Sequence, residues 1–406
     1  MIAHAGPSRY RRLALIGAPR TVAVIGIALG LGAVLVALPP FTARDVWWPA
    51  AIGVFGIAAG IWATTRGAVK LGIIAIVVNL IGITLGIAAT QSAAGNLDLV
   101  FLWSALIAAT LRYATPLTFA ALGGLFSERS GVVNIGLEGD MLMGAFFGFW
   151  GADVTGRWEL GLCIAVLAGA ALALVHAFFC IHLRADQIVI GTAINFLALG
   201  ITGYLFVDIY GEQGTPTDVP KIPDITIPGL EDVPFFGPAF GQLNLMIWLS
   251  FVVLIATWLV IFKTPIGLRI RSVGEHPRAA DTVGISVYGI RYGCVIVSGA
   301  LAALGGAYLS LGVLTLFDQN LTGGRGFIAL AALIFGNWRP FGTFAAALLF
   351  GFSTAFADRV DVWFAQGSSA PLLFNALPYI LTIIAVAGVI GRSVPPAADG
   401  RPYIKG

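Results

Sequence analysis

Charge is scarce in this chain. Asp, Glu, Lys and Arg supply only 11% of its 406 residues, where an ordinary soluble domain carries about 25%. That shortage excludes a water-facing globular fold, because most of the surface would have no charge to cover it. Cysteine is nearly absent too. Cys163, Cys180 and Cys294 all fall in apolar runs without CxxC spacing, so they read as small buried residues and imply no disulfide or metal framework. No Gly-x-x-x-x-Gly-Lys-Ser/Thr loop occurs, and Lys263-Thr264 lacks the preceding glycines, so no nucleotide-hydrolysing site of that kind exists here. Glu275-His276 lacks the second histidine of a zinc protease, and Gly324-x-Gly326-x-x-Ala329 opens an apolar helix rather than following a strand. No nucleophile is assembled with a base, so the chain is not expected to be an enzyme. A cleavable signal with a small-residue site is missing near the start, and the basic stretch 9–20 reads as a cytoplasmic anchor.

Apolar residues are abundant instead. They make up 58% of the chain, and the mean hydropathy is +0.92. Runs of roughly 20 apolar residues, the length needed to cross a bilayer, recur almost throughout. About twelve membrane segments are expected, with boundaries loose by a few residues. They fall near 21–38, 46–64, 70–90, 101–125, 132–152, 159–182, 187–208, 244–262, 292–313, 324–337, 341–358 and 373–391. The tenth is short, and glycines in the fourth and fifth are candidates to interrupt them. The fold class is therefore all-α and polytopic.

Starting inside and alternating sides places all but six of the 23 Lys and Arg on the cytoplasmic face. The six are Arg44, Arg112, Arg157, Lys221, Arg325 and Arg359. Both termini are then cytoplasmic, and the net charge of +3 reflects topology and calls for no nucleic acid. The outer loop 208–243 carries Pro216, Pro220, Pro223, Pro228, Pro234 and Pro238. Proline at that density favours an extended cover over helix, either as a packed connector or as a docking surface for an extracytoplasmic binding protein.

The inner loop 263–291 contains TPIGLRIRSVGEHPRAADTVGI at 264–285. Gly274 is expected to break the chain, Pro277 to open a short helix, and Gly284 to end it. Small Ala279 and Ala280 would let another protein seat that helix in a groove. An ordinary cytoplasmic loop fits the same residues. In the membrane, the polar stretch 127–140 stands out. Asn134 and Glu138 would share a helix face four residues apart, and an intramembrane carboxylate usually faces the bundle interior or water. Glu138 either caps a broken helix and bonds a neighbour or lines a translocation path; Asn195 either joins helices or lines that path. Glu128 and Arg129 read as a surface pair, and 318–320 as an entrance or a solvated turn.

The inner loop resembles the coupling segment of permeases in the branched-chain amino acid and simple sugar family of ABC importers, through Gly267, Arg271, Gly274, Pro277, Ala279, Ala280, Gly284 and Ile285. GGLFSERSGVVNIGLEG at 123–139, DQIVIGTAIN at 186–195 and GRGFIALAALIFG at 324–336 look like the nucleoside-type branch. The resemblance covers roughly 70–391. It implies a type II permease core, similar to vitamin B12 importers, with inverted repeat halves. The segment 1–69 would then be a cytoplasmic N-terminus and two additional helices, and 392–406 a cytoplasmic tail. It implies coupling to a partner ATPase through Gly274, Glu275, Pro277, Arg278, Ala279, Ala280, Asp281 and Gly284. A low-charge substrate path would involve Asn134, Glu138 and Asn195. The cofactors, ATP and Mg, would belong to that ATPase, with none in this chain. Further implied partners are a second homologous permease, an extracytoplasmic binding protein, lipid of the cell membrane, and a small-molecule substrate, nucleosides ahead of ribose-type sugars and branched-chain amino acids. A secondary transporter using Glu138 as its ion site is the alternative from a different class.

Overall fold

The computed structural model describes residues 9–37, 47–90, 102–211, 214–233, 235–361, 376, 379 and 393–405. Helices dominate, and the chain divides into two compact units. The first contains α1 (Arg9–Ala37), α2 (Trp47–Thr65) and α3 (Val69–Thr90). Glycines let these helices touch backbone to backbone: a Cβ on Gly72 would lie 2.6 Å from the Gly60 carbonyl oxygen. Buried Asn79 on α3 donates to Gly26 O of α1 at 2.8 Å. The third apolar segment is thus packed with the first two.

The second unit contains α4 (Trp103–Arg129), α5 (Leu137–Thr155), α6 (Trp158–Ala177) and α7 (Gln187–Tyr210). It continues with α8 (Leu245–Lys263), α9 (Pro265–Glu275), α10 (Pro277–Thr282), α11 (Val287–Tyr308), α12 (Arg325–Phe335) and the start of α13 (Pro340–Asp361). At its centre α11 crosses both α5 and α6. A Cβ on Gly306 would sit 1.8 Å from Met141 O, and one on Gly169 2.5 Å from Gly299 O. Only glycine permits either crossing. An apolar cluster including Phe146, Phe149, Tyr308 and Phe317 fills the space around them.

Among the described residues, nine helices are long and apolar enough to span a membrane: 19–37, 47–65, 69–87, 103–129, 158–182, 187–210, 245–263, 287–313 and 340–359. The expected fifth and tenth segments are helices α5 and α12, but of another kind. Helix α5 begins only at Leu137, because 130–136 is non-helical and Gly131 has φ +89°. Helix α12 has 11 residues, too short to cross alone. The expected twelfth segment, 373–391, lies outside the described residues apart from 376 and 379. Large apolar side chains such as Phe196 and Val189 on α7 point outward, the surface such a helix turns to lipid. Cys163 is exposed on the same kind of surface, whereas Cys180 and Cys294 are buried as expected.

The proline-rich loop is a packed connector. Its strand β1 (Asp224–Thr226) pairs antiparallel with β2 (Gln242–Asn244), Ile225 opposite Leu243. Val219 and Ile222 sink into the main apolar cluster, and Ile222 N donates to Leu311 O at 3.2 Å. One wide helical turn, Gly237–Gly241, does form despite the prolines. Pro238 stands in its first turn, where a missing N–H costs nothing.

Candidate functional site

Two places gather the polar residues. The first is the break between α4 and α5. The chain leaves α4 at Arg129 and re-enters helix at Leu137, so several backbone groups need partners inside an apolar unit. Side chains supply them. Gln187 Oε1 accepts from Val133 N at 2.7 Å. Asn195 of α7 donates to Ile135 O at 3.0 Å and accepts from Gly139 N at 2.8 Å. Asn195 therefore joins α7 to the break and to the first turn of α5.

Glu138 is the second residue of α5, and it caps a different helix. Its Oε1 accepts from Thr322 Oγ1 at 2.6 Å and Gly324 N at 2.7 Å, and its Oε2 accepts from Gly326 N at 2.6 Å. The two amides are backbone donors at the start of α12, which the first helical turn leaves unpaired. Gly324 adopts φ +86° to turn them toward the carboxylate. The two helix starts abut: a Cβ on Gly326 would lie 2.5 Å from both N and Cα of Glu138. Each N-terminus carries about half a positive charge, and one buried carboxylate faces both. Of the two readings of Glu138, helix capping is the one its contacts describe.

Asn134 and Glu138 do not share a helix face, because Asn134 lies in the non-helical break. Asn134 Nδ2 instead donates to Ser298 Oγ of α11 at 3.0 Å and to Asp140 Oδ2 at 3.3 Å. Asn134 Oδ1 and Asp140 Oδ1, both buried, have no hydrogen-bond partner among the described residues. Residues 318–320 form an exposed turn in which Asp318 Oδ1 accepts from Gln319 N at 2.7 Å.

The second place is the loop after α8. It differs from expectation in where it breaks. Gly274 remains inside α9, where a Cβ would fall 2.1 Å from Arg129 O, so its role is close packing against the end of α4. The break comes at His276, with φ −140° and ψ 78°. Pro277 opens α10 and Gly284, at φ +83°, follows its end, both as expected. Of the two alanines, Ala279 is exposed, while Ala280 is buried with Val273, Val287 and Tyr403. Pro277 and Asp281 are half-buried, Glu275 and Arg278 are exposed, and the Asp281 carboxylate lies within electrostatic reach of Tyr403.

Three groups here were not foreseen. Glu128 is buried, not a surface residue, and accepts from Trp338 Nε1 at 2.5 Å; its neighbour Arg129 donates to Trp338 O at 2.7 Å. Arg291 is also buried, donating to Ser130 O at 3.2 Å and Arg401 O at 3.0 Å. Residues 393–405 run across the loop: Ala398 N donates to Gly274 O at 2.9 Å and Ala397 N to Glu275 Oε2 at 3.1 Å. No sequence spacing links these partners. The one available hint was a tyrosine and two cations, Arg401 and Lys405, in a tail otherwise rich in proline and small residues.

Asp399 makes this contact sensitive to pH. Burial pushes its carboxyl up from 3.8 to about 7, while Gly400 N–H and the Arg291 guanidinium pull it down. Glu128 is the other carboxyl within electrostatic reach. A raised value in the docked state means that docking favours the protonated acid. That contribution is full below the ordinary value and is lost as pH rises through about 7. Amide exchange at 397–401, corrected for intrinsic rates, should accelerate between about pH 6 and pH 8. Asp399→Asn should abolish that dependence.

Comparison with known proteins falls mostly on the second unit. A family model described as the permease component of branched-chain amino acid transport systems matches residues 106–386. The guanosine ABC transporter permease protein NupQ of Bacillus subtilis is 47% identical over 319 residues, covering 73% of this chain and 95% of NupQ. The nucleoside ABC transporter permease protein NupC of Lactococcus lactis is 41% identical over 303 residues, covering 73% and 95%. A putative glucose ABC transporter permease protein of Haloferax volcanii, TsgC13, is 36% identical over 300 residues, covering 69% and 90%. No solved structure matches the chain.

Proposed function

The chain belongs to the branched-chain amino acid transport system permease family, and from that premise we propose that it is a permease subunit of an ATP-driven importer of nucleosides. The observation that carries the substrate class is the 47% identity to a guanosine permease across 95% of that protein. A transport subunit hydrolyses nothing itself. ATP and Mg are bound by a separate cytoplasmic ATPase, and an extracytoplasmic binding protein delivers substrate. A second homologous permease completes the pore in the cell membrane. Both termini lie in the cytoplasm, a reading supported by the bias of basic residues.

The core is of type II, with inverted halves. Support comes from the succession helix, break, helix, which occurs at α4–α5 and again at α11–α12, with the two broken segments meeting at Glu138 and Gly326. The loop 263–291 is the coupling loop. Within it, Glu275, Pro277, Arg278, Ala279 and Asp281 make the outward contact. Gly274, Ala280 and Gly284 give the loop its shape. Asn134, Glu138 and Asn195 hold the broken segments near the path rather than touching cargo.

A simple-sugar substrate is the second reading, favoured by the 36% identity to a glucose permease. Reconstitution separates them. With a cognate ATPase, second permease and binding protein, the chain should concentrate guanosine or uridine into proteoliposomes only when ATP is supplied. ATP-driven uptake of glucose or ribose alone would select the second reading. Uptake on a proton or sodium gradient without the ATPase would overturn both.

A further inference from the structure

Helix α10 has six residues, far fewer than an isolated helix needs to persist in water. Something must hold it, and much of what does so comes from the far end of the chain. Tyr403 lies buried beside Ala280, Val273 and Val287, and its ring meets that of Tyr288 at 5.5 Å between centroids. Tail amides bond the Gly274 carbonyl and the Glu275 carboxylate, capping the C-terminal turn of α9, whose carbonyls otherwise lack partners. Arg291 fastens the same tail to α11 through Arg401 O and to the break through Ser130 O.

Between α10 and the tail lies a groove of about 550 Å3, lined by His276, Arg278 and Ala279 on one side and Arg401, Pro402 and Ile404 on the other. Ile404 is 54% exposed. Its cations Arg278 and Arg401 face one carboxylate, Glu275, and Glu275 is already engaged by Ala397 N. The groove therefore mixes apolar side chains with an excess of one positive charge, Arg401 standing on the tail wall without an acidic residue beside it among the lining residues.

We propose that residues 393–405 form the second wall of the ATPase-docking surface. The ATPase would seat there a segment whose apolar side chain is flanked by carboxylates, gripped between α10 and the tail. This rests on the permease reading above and deepens it. The argument is continuity with α10 and complementarity of charge. A lone six-residue helix could be pushed without moving anything else. A helix tied through the tail to α11 and to the break next to α5 moves with them.

The test uses the whole importer in proteoliposomes, with a photoreactive phenylalanine analogue placed singly at Ile404, Ala279 or Phe196. Illumination should join the ATPase covalently to the chain from positions 404 and 279, and not from outward-facing Phe196. Adducts from 279 alone would overturn the proposal and leave the permease reading standing. Adducts from neither, while ATP-driven uptake persists, would overturn the docking role of the loop itself. A charge test runs in parallel. Arg401→Glu should weaken capture of the ATPase by at least about tenfold, as expected for like charges opposed across an interface, with the thermal midpoint of the membrane protein unchanged. Arg401→Lys should restore it. Unaltered capture by Arg401→Glu would count against the tail as a wall.

Discussion

Glu138→Ala should cost the membrane domain about 3 to 5 kcal/mol, the range for removing one partner from a buried, charged set of hydrogen bonds. The mechanism is local. Thr322 Oγ1, Gly324 N and Gly326 N would lose their shared acceptor, and each buried orphan costs about 1 to 3 kcal/mol. The starts of α5 and α12 would also abut with only Asp140 left as an acidic side chain in the first turn of α5. In a detergent melt the midpoint should fall by about 10 °C. Glu138→Gln should fall between the two. Its carbonyl can still serve Thr322 and Gly324, but its amide would meet the Gly326 N–H donor to donor. Relative uptake of different nucleosides by the folded fraction of Glu138→Gln should match that of the native chain, because the side chain is spent on a helix start. A changed preference would place Glu138 in the path after all, and an unchanged melt for Glu138→Ala would refute the capping role.

The sequence disclosed the features that repeat or that need special residues. Membrane helices were legible because a run such as 245–263 must be apolar along its whole length. The break before α5 was legible in part: of the glycines at 131, 136 and 139 that permit one, the first two fall in it and Gly139 lies inside α5. The end of α10 was legible because Gly284 takes a backbone angle few other residues tolerate. Contacts made by single atoms between distant positions left no such trace. Trp338 and Glu128 are 210 residues apart, and nothing in the neighbourhood of either names the other. Counting cations by side put Arg291 on the cytoplasmic face, and there it is drawn inward by the carbonyls of Ser130 and Arg401. Asn134 was misplaced for a related reason. A spacing of four implies a shared face only where the chain is helical, and at 134 it is not.

The distinction between two adjacent alanines yields the second large effect. Ala279 is exposed on the groove wall, and Ala280 is turned into the chain beside Tyr403. Ala279→Glu should leave the melt unchanged and reduce ATP-driven uptake by at least about tenfold, since it sets a carboxylate against a partner surface that the arginines mark as acidic. Ala280→Glu should act by another route. It would bury an unpaired carboxylate, costing several kcal/mol unless the tail lets go, so residues 393–405 should become open to protease and rapid in amide exchange before any ATPase is added. A variant carrying both changes would confuse the two causes. Measured singly, they separate contact from support: Ala279→Glu loses transport with a docked tail, and Ala280→Glu loses it because the tail has left. Normal uptake in Ala279→Glu would remove α10 from the docking surface. A tail that stays protected in Ala280→Glu would show that Tyr403 and Ala280 do not hold it.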